Sequence, residues 1–198
     1  MPDIVPATRP RMSYSELMEK LKPLGLDAET DPVFVAGVRG YYRDTMGAPG
    51  TNDRGIYDDA IFLVSPTFFG SYNANTDPSK VRKGRGRGGD KGMACLAAGL
   101  WRVHRFDKHN GKYLALCQRA GHVTVVRDGV TGDYADTGSF GINIHNGGWR
   151  TTSSLGCQTI HPSQWAGFIA SAVDLAKRHH GERWNKVTIP YALIEQAA

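Results

Sequence analysis

From Val33 onward the chain alternates between short apolar runs and clusters of Gly, Pro, Asn and Asp, a punctuation that builds strands and turns. VFVAGV and IYDDAIFLVS come first. LWRVHRF, KYLALCQ and HVTVVRDG follow, rich in Val, Leu, Tyr and Trp and separated by HNG and RAG turn signals, so these three are expected to form a β-meander. Asp128-Gly129 and VTGDYADTG read as a turn or loop, and SFGINIH as a strand ending at His145.

Two segments carry helical periodicity instead. Ser13 to Leu24 places Leu17, Leu21 and Leu24 at helical spacing with Gly25 just past the end, a short helix expected to dock on the core. Beyond Cys157, Pro162 suits a first helical position, and Trp165, Phe168, Ile169, Ala172, Val173 and Ala176 recur at helical spacing until Gly181. KVTIPYALI reads as a closing strand whose Pro190 marks an edge or a bulge. The expected fold is mainly β (α+β): an N-terminal segment over 1–30, then one β-rich catalytic domain over 31–198 with its longer helix after Cys157.

The formal charge of +5 discriminates poorly among partners, but its distribution is uneven. Residues 80–92 hold six basic and one acidic side chain among five glycines, a composition expected to form a mobile loop. Such a loop suits phosphate-bearing wall polymers or lipopolysaccharide. Nucleic acid is the weaker expectation, because outside the loop the charges nearly balance and no zinc-finger, RRM or basic-helix signature is present. The opening MPDIVPATRPRM has three prolines and no apolar h-region, and no stretch approaches the ~18 apolar residues of a membrane span. Taken as it stands, the chain reads as leaderless.

Three cysteines, Cys95, Cys117 and Cys157, are an odd number in a chain that needs no disulfide framework. Cys95 and Cys117 lie in apolar runs and read as core residues. Cys157 lies instead in a polar turn, INIHNGGWRTTSSLGCQTI, with His145 at the strand end before it. A thiol attacks a carbonyl as thiolate, which calls for a neighbouring base and for N–H groups aimed at the oxyanion. His145 offers the base, with His161 its nearest rival, and Gly156 lets backbone approach a substrate and present the N–H groups of Gly156 and Cys157. Asp133, Asp136 or a backbone carbonyl can orient the imidazole. Trp149 and Arg150 are candidates for the substrate groove, Arg150 through a carboxylate contact. The spacings of His104, Cys117, His122 and Cys95 match no metal motif, so neither metal nor cofactor is expected.

A strand-borne His followed by Ser154-Leu155-Gly156-Cys157 resembles the signature of the L,D-transpeptidase catalytic domain, the YkuD-like family. The resemblance spans Ile142 to Ile160. It implies a mainly β scaffold without metal or cofactor, in which Cys157 takes the acyl group of a peptidoglycan stem peptide and His145 acts as base. Ser154 and Gly156 then shape the turn and the oxyanion site, and Gln158 and Thr159 occupy positions that help place substrate. The thioester is resolved by an amine, as in a cross-linking transpeptidase, or by water, as in a phage lysin; the resemblance thus implies action on the cell wall or periplasm, a lysin being made in a host cytoplasm and released at lysis. Two other readings of the same residues are a binding module for nucleic acid or anionic wall polymer, and a cysteine peptidase acting on protein substrates.

Overall fold

In a computed structural model, which describes residues 3–86 and 90–196, the chain is mainly β, with two helices in one domain. Helix α1 (Tyr14–Leu21) precedes β1 (Phe34–Arg39), β2 (Asp59–Ser65), β3 (Phe68–Asn75), β4 (Ala94–Leu96), β5 (Gly99–His109) and β6 (Tyr113–Gln118). Then come β7 (Val123–Arg127), β8 (Tyr134–Gly138), β9 (Ile144–Asn146), β10 (Gln158–Ile160), α2 (Pro162–His180) and β11 (Ile189–Glu195). Eight strands close a barrel in the order β1-β11-β5-β6-β9-β10-β3-β2, and β4-β7-β8 form a separate small sheet. No helix among the described residues is long and apolar enough to cross a membrane.

Strands β1 and β2 are buried on both faces, which is why they read as unbroken apolar runs. One face, with Val35, Ile61, Leu63, Tyr191 and Leu193, joins the main core, to which α2 adds Trp165, Phe168, Ala172, Leu175 and Ala176. The other face, with Phe34, Ala36, Phe62 and Val64, packs under Leu17 and Leu21 of α1. Helix α1 starts at a capping box, Ser13 accepting from Glu16 N–H while the Glu16 carboxylate accepts from Ser13 N–H, and a short 3-10 turn then ends at left-handed Gly25. Helix α2 has Pro162 in its first turn and His161 as N-cap.

Several expectations change. The three runs expected as a meander part company: β5 and β6 form a hairpin, but β7 leaves the barrel to pair with β4 and β8. The VTGDYADTG segment expected as turn or loop contains strand β8, whose mixed Tyr-Ala-Asp-Thr-Gly sequence hides its pairing. Pro190 sits at a bulge, not an edge, because β11 is bonded to β1 on one side and β5 on the other. The basic segment is pinned at both ends: Gly84 N–H donates to Asp128 and Met93 N–H to the Arg82 carbonyl. The expectation of a mobile loop falls partly on residues 87–89, which lie outside the described residues.

One end of the barrel holds buried Asp58, Asp59 and Asp77 beside Arg39, whose Nε lies 3.2 Å from Asp77 Oδ1. Burial first, then the charge of Asp59, pushes the Asp58 carboxyl well above the usual range, and its Oδ1 is buried without a hydrogen-bond partner among the described residues. A carboxyl raised on folding stabilises the fold while protonated, and that contribution is lost as pH climbs through the folded value. Asp58→Asn is therefore expected to raise the melting temperature at pH 8.5 by about 4 °C, for a gain of about 1–2 kcal/mol, and to leave it unchanged near pH 4. Thermal melts at the two pH values check this.

Candidate active site

Strands β9 and β10 are parallel, with Ile144 opposite Gln158 and His145 opposite Thr159. Period-two alternation then puts Asn143, His145, Cys157 and Thr159 on one face, and Ile144, Gln158 and Ile160 on the face that looks into the barrel. Cys157 and His145 are diagonal neighbours on the outer face.

The backbone around Cys157 is held from inside. Gln158 is fully buried, accepting from Tyr191 Oη at 2.9 Å and donating to the Gly156 carbonyl at 3.2 Å. Gly37 makes room for that tyrosine, since a Cβ there would lie 2.2 Å from Tyr191 Oη. His104 bonds the Ile142 carbonyl at 2.9 Å, while Gln118 Oε1 accepts from the N–H groups of Phe140 and Ile142, each at 3.1 Å. Gln158 is thus a backbone anchor turned away from the groove, which corrects its expected role in substrate binding. Thr159 is also fully buried, and its hydroxyl has no partner among the described residues, so its expected substrate contact is corrected as well.

Ser154 and Gly156 do shape the turn. Ser154 Oγ accepts from Gly156 N–H at 3.0 Å and donates to the Cys157 carbonyl at 2.7 Å. Gly156 has φ +144°, and a Cβ on it would lie 2.3 Å from the Ala94 carbonyl oxygen. The Gly156 N–H is spent on Ser154, so the expected pair of oxyanion donors reduces to Cys157 N–H, which carries no hydrogen bond among the described residues.

Cys157 Sγ donates to the Gly141 carbonyl at 3.2 Å and accepts from Asn143 N–H at 3.4 Å. Burial pushes the thiol up to about 11. His145 Nδ1 bonds the carbonyl of Asn146 at 2.7 Å, with Tyr113 Oη at 3.3 Å. That carbonyl fills the orienting role, whereas Asp136 is engaged by Arg127 and Lys91, and Asp133 accepts from Gly129 N–H. With its proton on Nδ1, the imidazole keeps its lone pair on Nε2. Burial, then the adjacent His109, lowers His145 to about 4. The resting pair is neutral thiol and neutral imidazole, and no hydrogen bond joins them.

Cys157 is among the residues that line a cavity of about 150 Å³, with Arg82, Met93, Arg127, Phe140, Leu155 and Gly156, whereas His145 does not line it. Arg127 is tied to Asp136 at 2.6 Å and lies over the Phe140 ring at 4.8 Å. Arg82, from the basic segment, is exposed and makes no ion pair among the described residues. A larger cavity of about 850 Å³, between the N-terminal segment and Tyr41–Met46, is lined by neither cysteine nor histidine. Trp149 and Arg150 are exposed and neither lines the cavity at Cys157; Trp149 packs edge-on against His161. His161 itself caps α2 and bonds Ser163, which removes it as rival base. Cys95 donates to Asp77, and Cys117 is buried.

His109, Tyr113 and Asn143 complete the site and were missed in the sequence. Asn143 was the findable one, two residues before His145 and so on the same strand face. No family model matches the chain, and no curated protein matches it. Imidazole nitrogen NMR checks the assignment: His145 is expected to carry its proton on Nδ1 at pH 7 and to protonate at Nε2 only near pH 4. A proton on Nε2 with titration near the ordinary value of about 6.5 is the contrary result.

Proposed function

We propose that this chain is a cysteine acyl-transferring enzyme acting on bacterial peptidoglycan stem peptides, of L,D-transpeptidase-like type. The observation that carries the reading is the placement of Cys157 and His145 on one face of a parallel strand pair, with His145 Nδ1 committed to its neighbour's carbonyl and Nε2 left to accept a proton. Supporting it are the glycine-dependent turn around Cys157 and the resemblance of the Ser-x-Gly-Cys run.

In this reading a stem-peptide carbonyl enters the cavity beside Cys157. The thiol proton passes to His145 Nε2 as sulfur bonds the carbonyl carbon, and Cys157 N–H donates to the oxyanion. Collapse breaks the amide C–N bond, and the leaving amine takes the proton back from His145. The thioester is then cleaved by an amine, giving a cross-link, or by water, giving a free carboxylate. Because the resting pair is neutral, substrate must first exclude the Gly141 carbonyl from the thiol. Arg82 lines the same cavity, and with exposed Lys80, Lys83 and Arg85 of the same segment it suits an anionic wall polymer or lipopolysaccharide, held by salt-sensitive attraction.

Digestion of purified peptidoglycan fragments, wild type beside Cys157→Ala and His145→Gln, tests the reading by mass spectrometry. New or lost stem-peptide species are expected with wild type only, with His145→Gln reduced at least a hundredfold. Fragments left unchanged by wild type contradict the substrate assignment.

A further inference from the structure

His109, the last residue of β5, lies with its ring nearly parallel to that of His145, centroids 4.0 Å apart and planes 20° from each other. Its protonation state is dictated by Asn143. Gln118 N–H donates to Asn143 Oδ1 at 2.9 Å, so the amide NH2 is the end that faces His109 Nδ1, at 3.0 Å. His109 Nδ1 therefore holds a lone pair and its proton sits on Nε2; the Asn110 NH2 stands 3.1 Å from that nitrogen, and Asn110, which is exposed, has to turn its side-chain oxygen toward the proton. The two stacked imidazoles carry opposite tautomers.

Asn143 also touches the nucleophile. Its main-chain N–H donates to Cys157 Sγ, and its carbonyl accepts from Gln158 N–H at 2.8 Å. A change at His109 is thus passed to His145 through the ring stack and to Cys157 through Asn143.

We infer that His109 is a positioning residue for the Cys157–His145 pair, and that it acts only while its ring is neutral. A proton on Nδ1 would set two donors against each other. Asn143 has no relief in turning over, because its NH2 would then oppose Gln118 N–H. The same proton would place a cation against the ring of His145, opposing the imidazolium that forms when His145 takes the thiol proton. The groups facing the stack from the neighbouring elements are Tyr113 on β6, Cys157 before β10, Lys112 in the hairpin turn and Arg119 after β6, the last paired with Asp107 at 2.6 Å. Burial, then Arg119 and Lys112, hold His109 below the ordinary imidazole value.

The inference rests on Cys157 and His145 being nucleophile and base, and not on the identity of the acyl donor. Its test uses p-nitrophenyl acetate, which reports acylation of Cys157 without any wall peptide. The acylation rate of wild type is expected to fall on the acid side with a midpoint below pH 6.5. His109→Phe, which keeps a stacking ring and removes the titrating nitrogens, is expected to move that fall to lower pH. Asn143→Asp, which sets a carboxylate against Nδ1, is expected to move it up by at least one pH unit. Nitrogen NMR follows His109 in the same proteins, with the proton on Nε2 in wild type and on both nitrogens at neutral pH in Asn143→Asp. An acid limb unmoved in both variants, even with lower rates, reduces His109 to a packing residue and overturns the inference. Acylation by the ester without peptide turnover overturns only the substrate; no acylation of Cys157 at any pH overturns the pair and the role of His109 together.

Discussion

The parallel pairing of β9 with β10 is the constraint on which the rest of the site depends. Parallel neighbours need a crossover, and residues 147–157 provide it before the chain re-enters the sheet beside the strand it has just left. The crossover is tied at both ends: Gly147 N–H donates to Ile160 and Tyr57 Oη donates to Gly148, while Ser154 N–H donates to Ser79 Oγ. It therefore returns the chain so that Cys157 stands opposite Asn143, one diagonal from His145. A one-residue slip of β10 against β9 would turn Cys157 into the barrel and leave His145 outside.

Polar residues inside the barrel hold that geometry. His104, Gln118 and Gln158 bond the backbone at Phe140, Ile142 and Gly156, on either side of the thiol, and Tyr191 donates to the Gln158 side chain. Buried polar groups left unpaired are costly, so these bonds favour one register of the short strands over its alternatives. His104 is fully buried and lowered to about 4 by that burial, so the anchor is a neutral ring at working pH. Burial likewise keeps Cys157 and His145 neutral, and in the proposed mechanism the two exchange a proton only when a substrate is in place.

Much of this was legible in the sequence, and for physical reasons. Helix α1 announced itself through Ser13, Glu16 and the leucine spacing, and α2 through Pro162, its apolar stripe and Gly181. Cys157 and His145 stood out because a polar, glycine-bearing turn is a poor home for a structural cysteine. The roles of Gln158 and Thr159 were misread because side-chain direction in a three-residue strand depends on register, which spacing alone does not give. His109 and Tyr113 face each other across a hairpin and reach His145 from other strands, so nothing local to the catalytic segment points to them. Strand β8 stayed hidden because its partners, β7 and the charges of Arg127, make up for its weak apolar pattern.

The central claim is that Cys157 forms an acyl bond with His145 as its base. Intact-protein mass spectrometry after rapid acid quench with a stem tetrapeptide tests it most directly, followed by peptide mapping of any adduct. The account predicts a mass gain equal to the acyl fragment, located on the peptide bearing Cys157, labile to hydroxylamine as a thioester and absent from Cys157→Ala. An adduct on Cys95 or Cys117, or stem-peptide turnover that persists in Cys157→Ala, contradicts it.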